Sequence, residues 1–313
     1  MSTIYVSGSF DDLRSPQVRF LEEAARLGPV HVALWSDAAV EQVQGKAPKF
    51  VEAERQYLLE SIRYVDRVTL CAGPIDRDRL PLEAASSGTW VVGEGEASAA
   101  KEAFCRQHGL AYRVLRNEEL RGLPEDQYPR SHALRGNALP RRSASQELLH
   151  SEHVAKDAGA SGNCVPTRSM ETRTVPARKK AIVTGCYDWF HSGHVRFFEE
   201  VSALGELYVC VGHDANIRFL KGEGHPMFPA EERRYMVQSI RFVHRALISS
   251  GDGWLDAEPE IERLRPDIYA VNEDGDRPEK RAYCEAHGIE YRVLKRLPKE
   301  GLPRRQSTDL RGF

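Results

Sequence analysis

Long apolar runs are missing from this chain of 313 residues. None approaches the roughly 18 consecutive apolar residues of a membrane span. The start runs directly into Ile4-Tyr5-Val6, which reads as a strand rather than a signal peptide. Cysteine is sparse, with six residues and no C-x-x-C pair, so no zinc site is indicated. That usage fits reduced thiols in a cytoplasmic protein. A basic excess is also missing: 44 basic residues face 46 acidic ones, for a formal net charge of -2. A general nucleic-acid binder is thereby disfavoured, because the phosphate backbone demands a positive surface. No G-x-G-x-x-G follows a strand, which argues against a dinucleotide oxidoreductase.

What the chain does have is the stretch Gly185-Cys186-Tyr187-Asp188-Trp189-Phe190-His191-Ser192-Gly193-His194. It follows the short apolar run Ala181-Ile182-Val183 and precedes a helical pattern from Val195. Strand, tight loop and helix form the layout of a phosphate site. The helix start offers unpaired N–H groups and a partial positive charge. His191 and His194 add two donors there, and Gly193 permits close approach to the backbone. The competing structural reading is a pair of ordinary helix-start histidines.

The pattern G-x-[FY]-D-x-x-H-x-G-H resembles the nucleotidyltransferase superfamily with an HxGH signature, and within it the cytidylyltransferases. The enzymes making CDP-ethanolamine, CDP-choline and CDP-glycerol are the nearest by motif. The likeness continues through Lys221-Gly222, Pro226-Met227-Phe228, Glu231-Glu232-Arg233-Arg234 and Met236-Val237-Gln238-Ser239-Ile240-Arg241-Phe242-Val243. Arg305-Gln306-Ser307-Thr308-Asp309 is similar to a variant of the family's closing motif. The resemblance covers about residues 180–313. It implies transfer of CMP from CTP, with Mg²⁺, to a small phosphorylated or phosphonate acceptor, releasing pyrophosphate. The alternatives are an adenylyltransferase using ATP and a nucleotide-binding sensor or scaffold without turnover.

By the same resemblance His191, His194 and Lys221 are the catalytic candidates. Lys221 is read as lying in a Gly-flanked loop, where it acts as a mobile point charge. Gly185, Cys186, Tyr187, Asp188, Gly193, Arg233, Asn272, Asp274, Arg305, Ser307 and Thr308 are the candidate nucleotide contacts. Glu273 and Asp274 are candidates for a water-mediated contact to Mg²⁺. Trp189, His213 and Asp214 are candidates for the acceptor side. A fold role competes for Asp188, Arg233 and Asp214.

The second signal is internal. Shifted by 177 positions, residues 7–28 match residues 184–205 at ten of twenty-two places. Ser61-Ile62-Arg63-Tyr64-Val65 likewise meets Ser239-Ile240-Arg241-Phe242-Val243. Self-similarity on this scale reads as two copies of one domain. In the first copy His191-Ser192-Gly193-His194 becomes Arg14-Ser15-Pro16-Gln17, so both histidines are lost. Residues 1–137 are therefore read as a degenerate, non-catalytic copy that retains Lys46 and Arg55. Residues 138–179 form a polar linker with a short helix over 146–157, and 180–313 the catalytic copy.

Short apolar strands alternate with helical segments in both copies. In the second, strands are expected at 181–183, 207–211, 245–248, 268–271 and 291–294. Helices are expected at 195–204, 231–240, 258–264 and 277–287. The expected fold is α/β: two tandem Rossmann-like, doubly wound parallel-sheet nucleotidyltransferase domains. In the resembling enzymes the I-R-[FY]-V segment lies at a dimer interface. An intrachain pseudo-dimer of the two copies is therefore expected, and further homo-oligomerisation is compatible with it.

Overall fold

The strands form where β-branched and aliphatic residues run together. In the computed structural model, which describes residues 2–81, 87–124, 178–307 and 310, they build two five-stranded sheets. The first half contains β1 (Ile4–Gly8), α1 (Ser15–Leu27), β2 (Val30–Trp35), α2 (Asp37–Gln44), α3 (Glu52–Ser61), β3 (Arg67–Cys71), β4 (Thr89–Gly93), α4 (Ala99–Gln107) and β5 (Ala111–Leu115). The second contains β6 (Lys180–Gly185), α5 (Ser192–Ser202), β7 (Glu206–Val211), α6 (Asp214–Lys221), α7 (Ala230–Gln238), β8 (Val243–Ile248), α8 (Glu258–Leu264), β9 (Ile268–Asn272), α9 (Pro278–Ala286) and β10 (Glu290–Leu294). The linker, its expected helix and Thr308 lie outside the described residues.

The strand orders are β3-β2-β1-β4-β5 and, read from the matching edge, β8-β7-β6-β9-β10. All pairings are parallel. Both sheets are therefore Rossmann-like, with β1 and β6 at the equivalent central place. Val6, Val32, Val183 and Val209 are fully buried, and each contributes about 1.5–3 kcal/mol by leaving water. In each sheet the chain reverses its order beside the central strand. The crevice outside the strand carboxyl ends is where such folds hold ligands.

Helix α6 was not expected. Its eight residues make little more than two turns, too few for a helical period to stand out. His213 caps its start by accepting from Asn216 N, and Gly222 at φ 86° ends it. Lys221 is thus the last residue of a helix, which corrects the loop placement.

Both sheets belong to one compact unit, and their contacts come in matched pairs. Ile62 and Ile240 form an antiparallel bridge. Arg63 N donates to Ser239 O and Arg241 N to Ser61 O, each at 2.9 Å. The Tyr57 hydroxyl donates to Glu199, and the Tyr235 hydroxyl to Glu22, each at 2.7 Å. The two tyrosine hydroxyls and the backbone N–H groups named here are thereby hydrogen-bonded rather than left as desolvated orphans.

Candidate active site

The loop after β6 is held by one carboxylate. Asp188 accepts from Met227 N at 2.8 and 2.9 Å and from Phe228 N at 3.0 Å. In the first half Asp11 accepts from Lys49 N at 2.7 Å and Phe50 N at 2.9 Å. The same side chain therefore ties the loop to the chain ahead of the next helix in both halves. Tyr187 turns the loop at φ 53° with its ring buried. That ring lies where a side chain on Gly185 would sit, 2.8 Å from a Cβ, so only glycine fits.

The loop delivers His191 to the N-cap of α5. Its Nδ1 accepts from Gly193 N at 3.0 Å. Accepting there leaves the ring proton on Nε2, which faces Ser307 Oγ at 3.4 Å. A Cβ on Gly193 would lie 2.9 Å from His191 Cε1, so this glycine is a spatial requirement of the cap. His194 stacks on His191, with centroids 4.0 Å apart and planes at 26°. Phe190 and Tyr187 pack on it as well. His194 Nδ1 is buried with no hydrogen-bond partner among the described residues. A buried nitrogen left unpaired is costly unless something pairs with it.

Burial, then the charges of Arg296 and Arg305, push the His191 imidazole down to about 3. Burial, His191, Arg296 and Lys221 drive His194 well below its ordinary range. Both rings are therefore neutral near pH 7. A ring whose folded value is depressed adds stability above its unfolded value near 6.5, and that stability is lost as pH falls toward the folded value. Thermal midpoints measured from pH 7.5 to 4.5 are expected to fall more steeply for wild type than for His191→Asn. Parallel curves would contradict this.

A cavity opens beside the histidines, lined among others by Gly193, Arg196, Asn272, Lys295, Arg296 and Arg305. Asn272 ends β9, next to the central strand β6. Asp274 follows it and pairs with Arg296. The Arg305 guanidinium bonds the buried Glu54 carboxylate. Lys221 is exposed and, through its charge, acts on both His194 and Cys186. Arg196, Lys295, Arg296, Arg304 and Arg305 line the wall against the one carboxylate of Glu200, although Arg196, Arg296 and Arg305 are each paired with a carboxylate. Among the described residues no three His, Cys, Asp or Glu side chains gather as a metal cluster.

Several expected ligands are engaged elsewhere. Arg233 is buried, donating to Phe228 O (2.8 Å), Cys186 O (2.6 Å), Gly212 O (2.8 Å) and Asp214 Oδ1 (2.6 Å). It clamps the loop, so the expected phosphate contact is corrected to a carbonyl clamp, and Asp214, whose side chain is 38% exposed, is its counter-ion. Arg55 repeats the arrangement with Phe50 O, Ser9 O, Trp35 O and Asp37. His213 uses both ring nitrogens, toward Asn216 N and Gly251 O. Trp189 is buried against Phe50, Leu310 and Phe228, beneath the Arg14 guanidinium at 4.5 Å. Trp189 is buried, and His213 keeps a partly exposed side chain. Arg14, which replaces His191 in the first half, is thus held by Trp189, Phe228 and Asp12.

Two kinds of residue escaped the sequence reading. Arg296 carries no motif signature. Glu54 belongs to the other half and is 251 positions from Arg305.

A family model described as cytidylyltransferase-like matches residues 182–285. The FAD synthase of Ferroglobus placidus is 34% identical over 125 residues, covering 39% of this chain and 78% of that protein. The FAD synthase of Aciduliprofundum boonei is 36% identical over 125 residues, covering 39% of this chain and 80% of that protein. The crystal structure of the lipopolysaccharide core biosynthesis protein from Thermoplasma volcanium is 23% identical. It covers 40% of this chain and all of that one, with a TM-score of 0.34.

Proposed function

Because the chain belongs to the cytidylyltransferase-like nucleotidyltransferases, we propose that its C-terminal half transfers CMP from CTP to a small phosphorylated or phosphonate acceptor. The observation that carries this reading is the stacked His191–His194 pair at the start of α5, beside a cavity walled by Arg296 and Arg305. The triphosphate lies along the helix start, with the His191 Nε2–H directed to it. Neutral imidazoles donate there without repelling the arginines. An oxygen of the acceptor phosphate attacks the α-phosphorus in line, and the bond to the β-phosphate oxygen breaks. The negative charge that grows on the departing pyrophosphate is stabilised by His194, Lys221, Arg296 and Arg305. No covalent intermediate is required, because the acceptor oxygen is already ionised. Catalysis is positioning plus electrostatics. Magnesium enters with the nucleotide as part of the substrate. Cys186, Tyr187, Asp188 and Gly185 shape the loop. Asn272 and Ser307 line the nucleotide side.

The N-terminal half, with Arg14, Ser15, Pro16 and Gln17 at the motif, does not turn over in this reading. It serves as the partner in an intrachain pseudo-dimer. Its Ile62 bridge to Ile240 is the supporting contact.

The relatives named FAD synthase support a second reading with the same chemistry, since FAD contains AMP joined to a flavin phosphate. In that case ATP replaces CTP. Pyrophosphate release with Mg²⁺, each nucleotide and a pool of phosphorylated small alcohols, sugars and FMN separates the two. Release with CTP is expected. Release with ATP and FMN alone would replace the first reading by the second.

A further inference from the structure

We propose that Glu54, which belongs to the N-terminal half, is a positioning residue for the nucleotide site of the C-terminal half. It fixes the Arg305 guanidinium at the edge of the phosphate cavity. This rests on the functional reading above. Glu54 sits on α3 and its side chain is fully buried. One carboxylate oxygen, Oε1, accepts from Ser192 Oγ at 2.5 Å. The other, Oε2, accepts from Arg305 Nε at 3.0 Å and lies 2.9 Å from its second terminal nitrogen. Ser192 is the first residue of α5 and stands between the two histidines.

A buried carboxylate needs compensation, and here one serine and one arginine supply it. The arginine gains in return. Its long side chain would otherwise sample many rotamers, and a paired fork geometry removes that freedom. The constraint reaches the histidines by two routes. The Arg305 carbonyl borders Gly193, 3.7 Å from where a Cβ would lie. The Arg305 charge also depresses His191, after burial and Arg296. The half that lacks the histidine pair thus completes the anion site of the half that has it.

The mirror contact isolates what is special here. Glu232 accepts from Ser15 Oγ at 2.6 Å, but among the described residues no arginine pairs with it. Loss of that serine contact reports on the seam alone, whereas loss of Glu54 reports on the seam and on Arg305.

The test compares Glu54→Gln with Glu232→Gln in the full chain. Two quantities are read: affinity for inorganic triphosphate by calorimetry, and kcat and KM for the nucleotide. Glutamine keeps the size but loses the charge, and its single carbonyl oxygen can accept from Ser192 or from Arg305, not from both. E54Q is expected to bind triphosphate at least about tenfold more weakly. Its KM should rise, and kcat should fall as well, because Arg305 is among the groups that stabilise the departing pyrophosphate. E232Q should match wild type in both. Equal triphosphate affinity in E54Q and wild type overturns the proposal, and so does an equal loss in E54Q and E232Q. If wild type binds triphosphate yet releases no pyrophosphate, the functional reading fails, while the E54Q affinity ratio still decides the role of Glu54. If wild type binds no triphosphate, both fall.

Discussion

Replacing His194 with alanine is expected to lower nucleotidyl transfer by about 100- to 1,000-fold while moving the thermal midpoint by less than about 3 °C. The two effects separate because of how this imidazole is held. It lies against His191, Phe190 and Tyr187, so truncation removes some packing. Against that, its Nδ1 is buried without a partner among the described residues, and removing an unpaired buried nitrogen relieves a desolvation cost. Packing lost and desolvation relieved offset one another. Nothing offsets the loss at the reacting end, where a donor aimed at growing negative charge disappears. Steady-state pyrophosphate release and a thermal melt on the same preparation check both halves. Turnover within threefold of wild type, on the order of a catalytic bystander's effect, would contradict the role given to His194.

Arg233→Ala is expected to do the reverse, destabilising the protein by about 3–5 kcal/mol and lowering the thermal midpoint by roughly 10 °C. The guanidinium is 1% exposed. Its removal strands the carbonyls of Cys186, Gly212 and Phe228 and leaves the Asp214 carboxylate unpaired. The matched variant Arg55→Ala strips Phe50, Ser9 and Trp35 of the same donor and leaves Asp37 unpaired. It should therefore cost a similar amount, although it lies in the half that lacks the histidine pair. Urea titrations of both variants check this. A midpoint near wild type for Arg233→Ala would mean that the arginine is available to a ligand after all.

These two residues mark how far the sequence alone reaches. The alternation of short apolar runs with helical segments was legible, because a parallel sheet covered on both faces leaves that pattern directly in the chain. The equivalence of the halves was legible from shifted identities such as Asp11 with Asp188, and both carboxylates accept from an equivalent pair of backbone donors. The meeting of His191 with His194 followed from three-residue spacing at a helix start. Arg233 was not legible in the same way. A basic residue near a phosphate motif reads alike whether it binds phosphate or clamps carbonyls, and only burial separates the two. Trp189 has the same ambiguity, settled by Phe50 and Leu310 packing on it from distant parts of the chain. Helix α6 was missed because eight residues are too few for a helical period to stand out. Glu54 was missed because its partners Ser192 and Arg305 are joined to it by folding alone.

The most direct test uses nucleotides labelled at the α-phosphate, incubated with Mg²⁺ and a pool of phosphorylated acceptors, with wild type and His194→Ala in parallel. The account predicts label transferred to an acceptor, one pyrophosphate released per label transferred, and loss of both in the variant. Label that stays on the nucleotide, with nucleotide nonetheless bound by the wild-type chain, would contradict it and leave a binding protein in place of an enzyme.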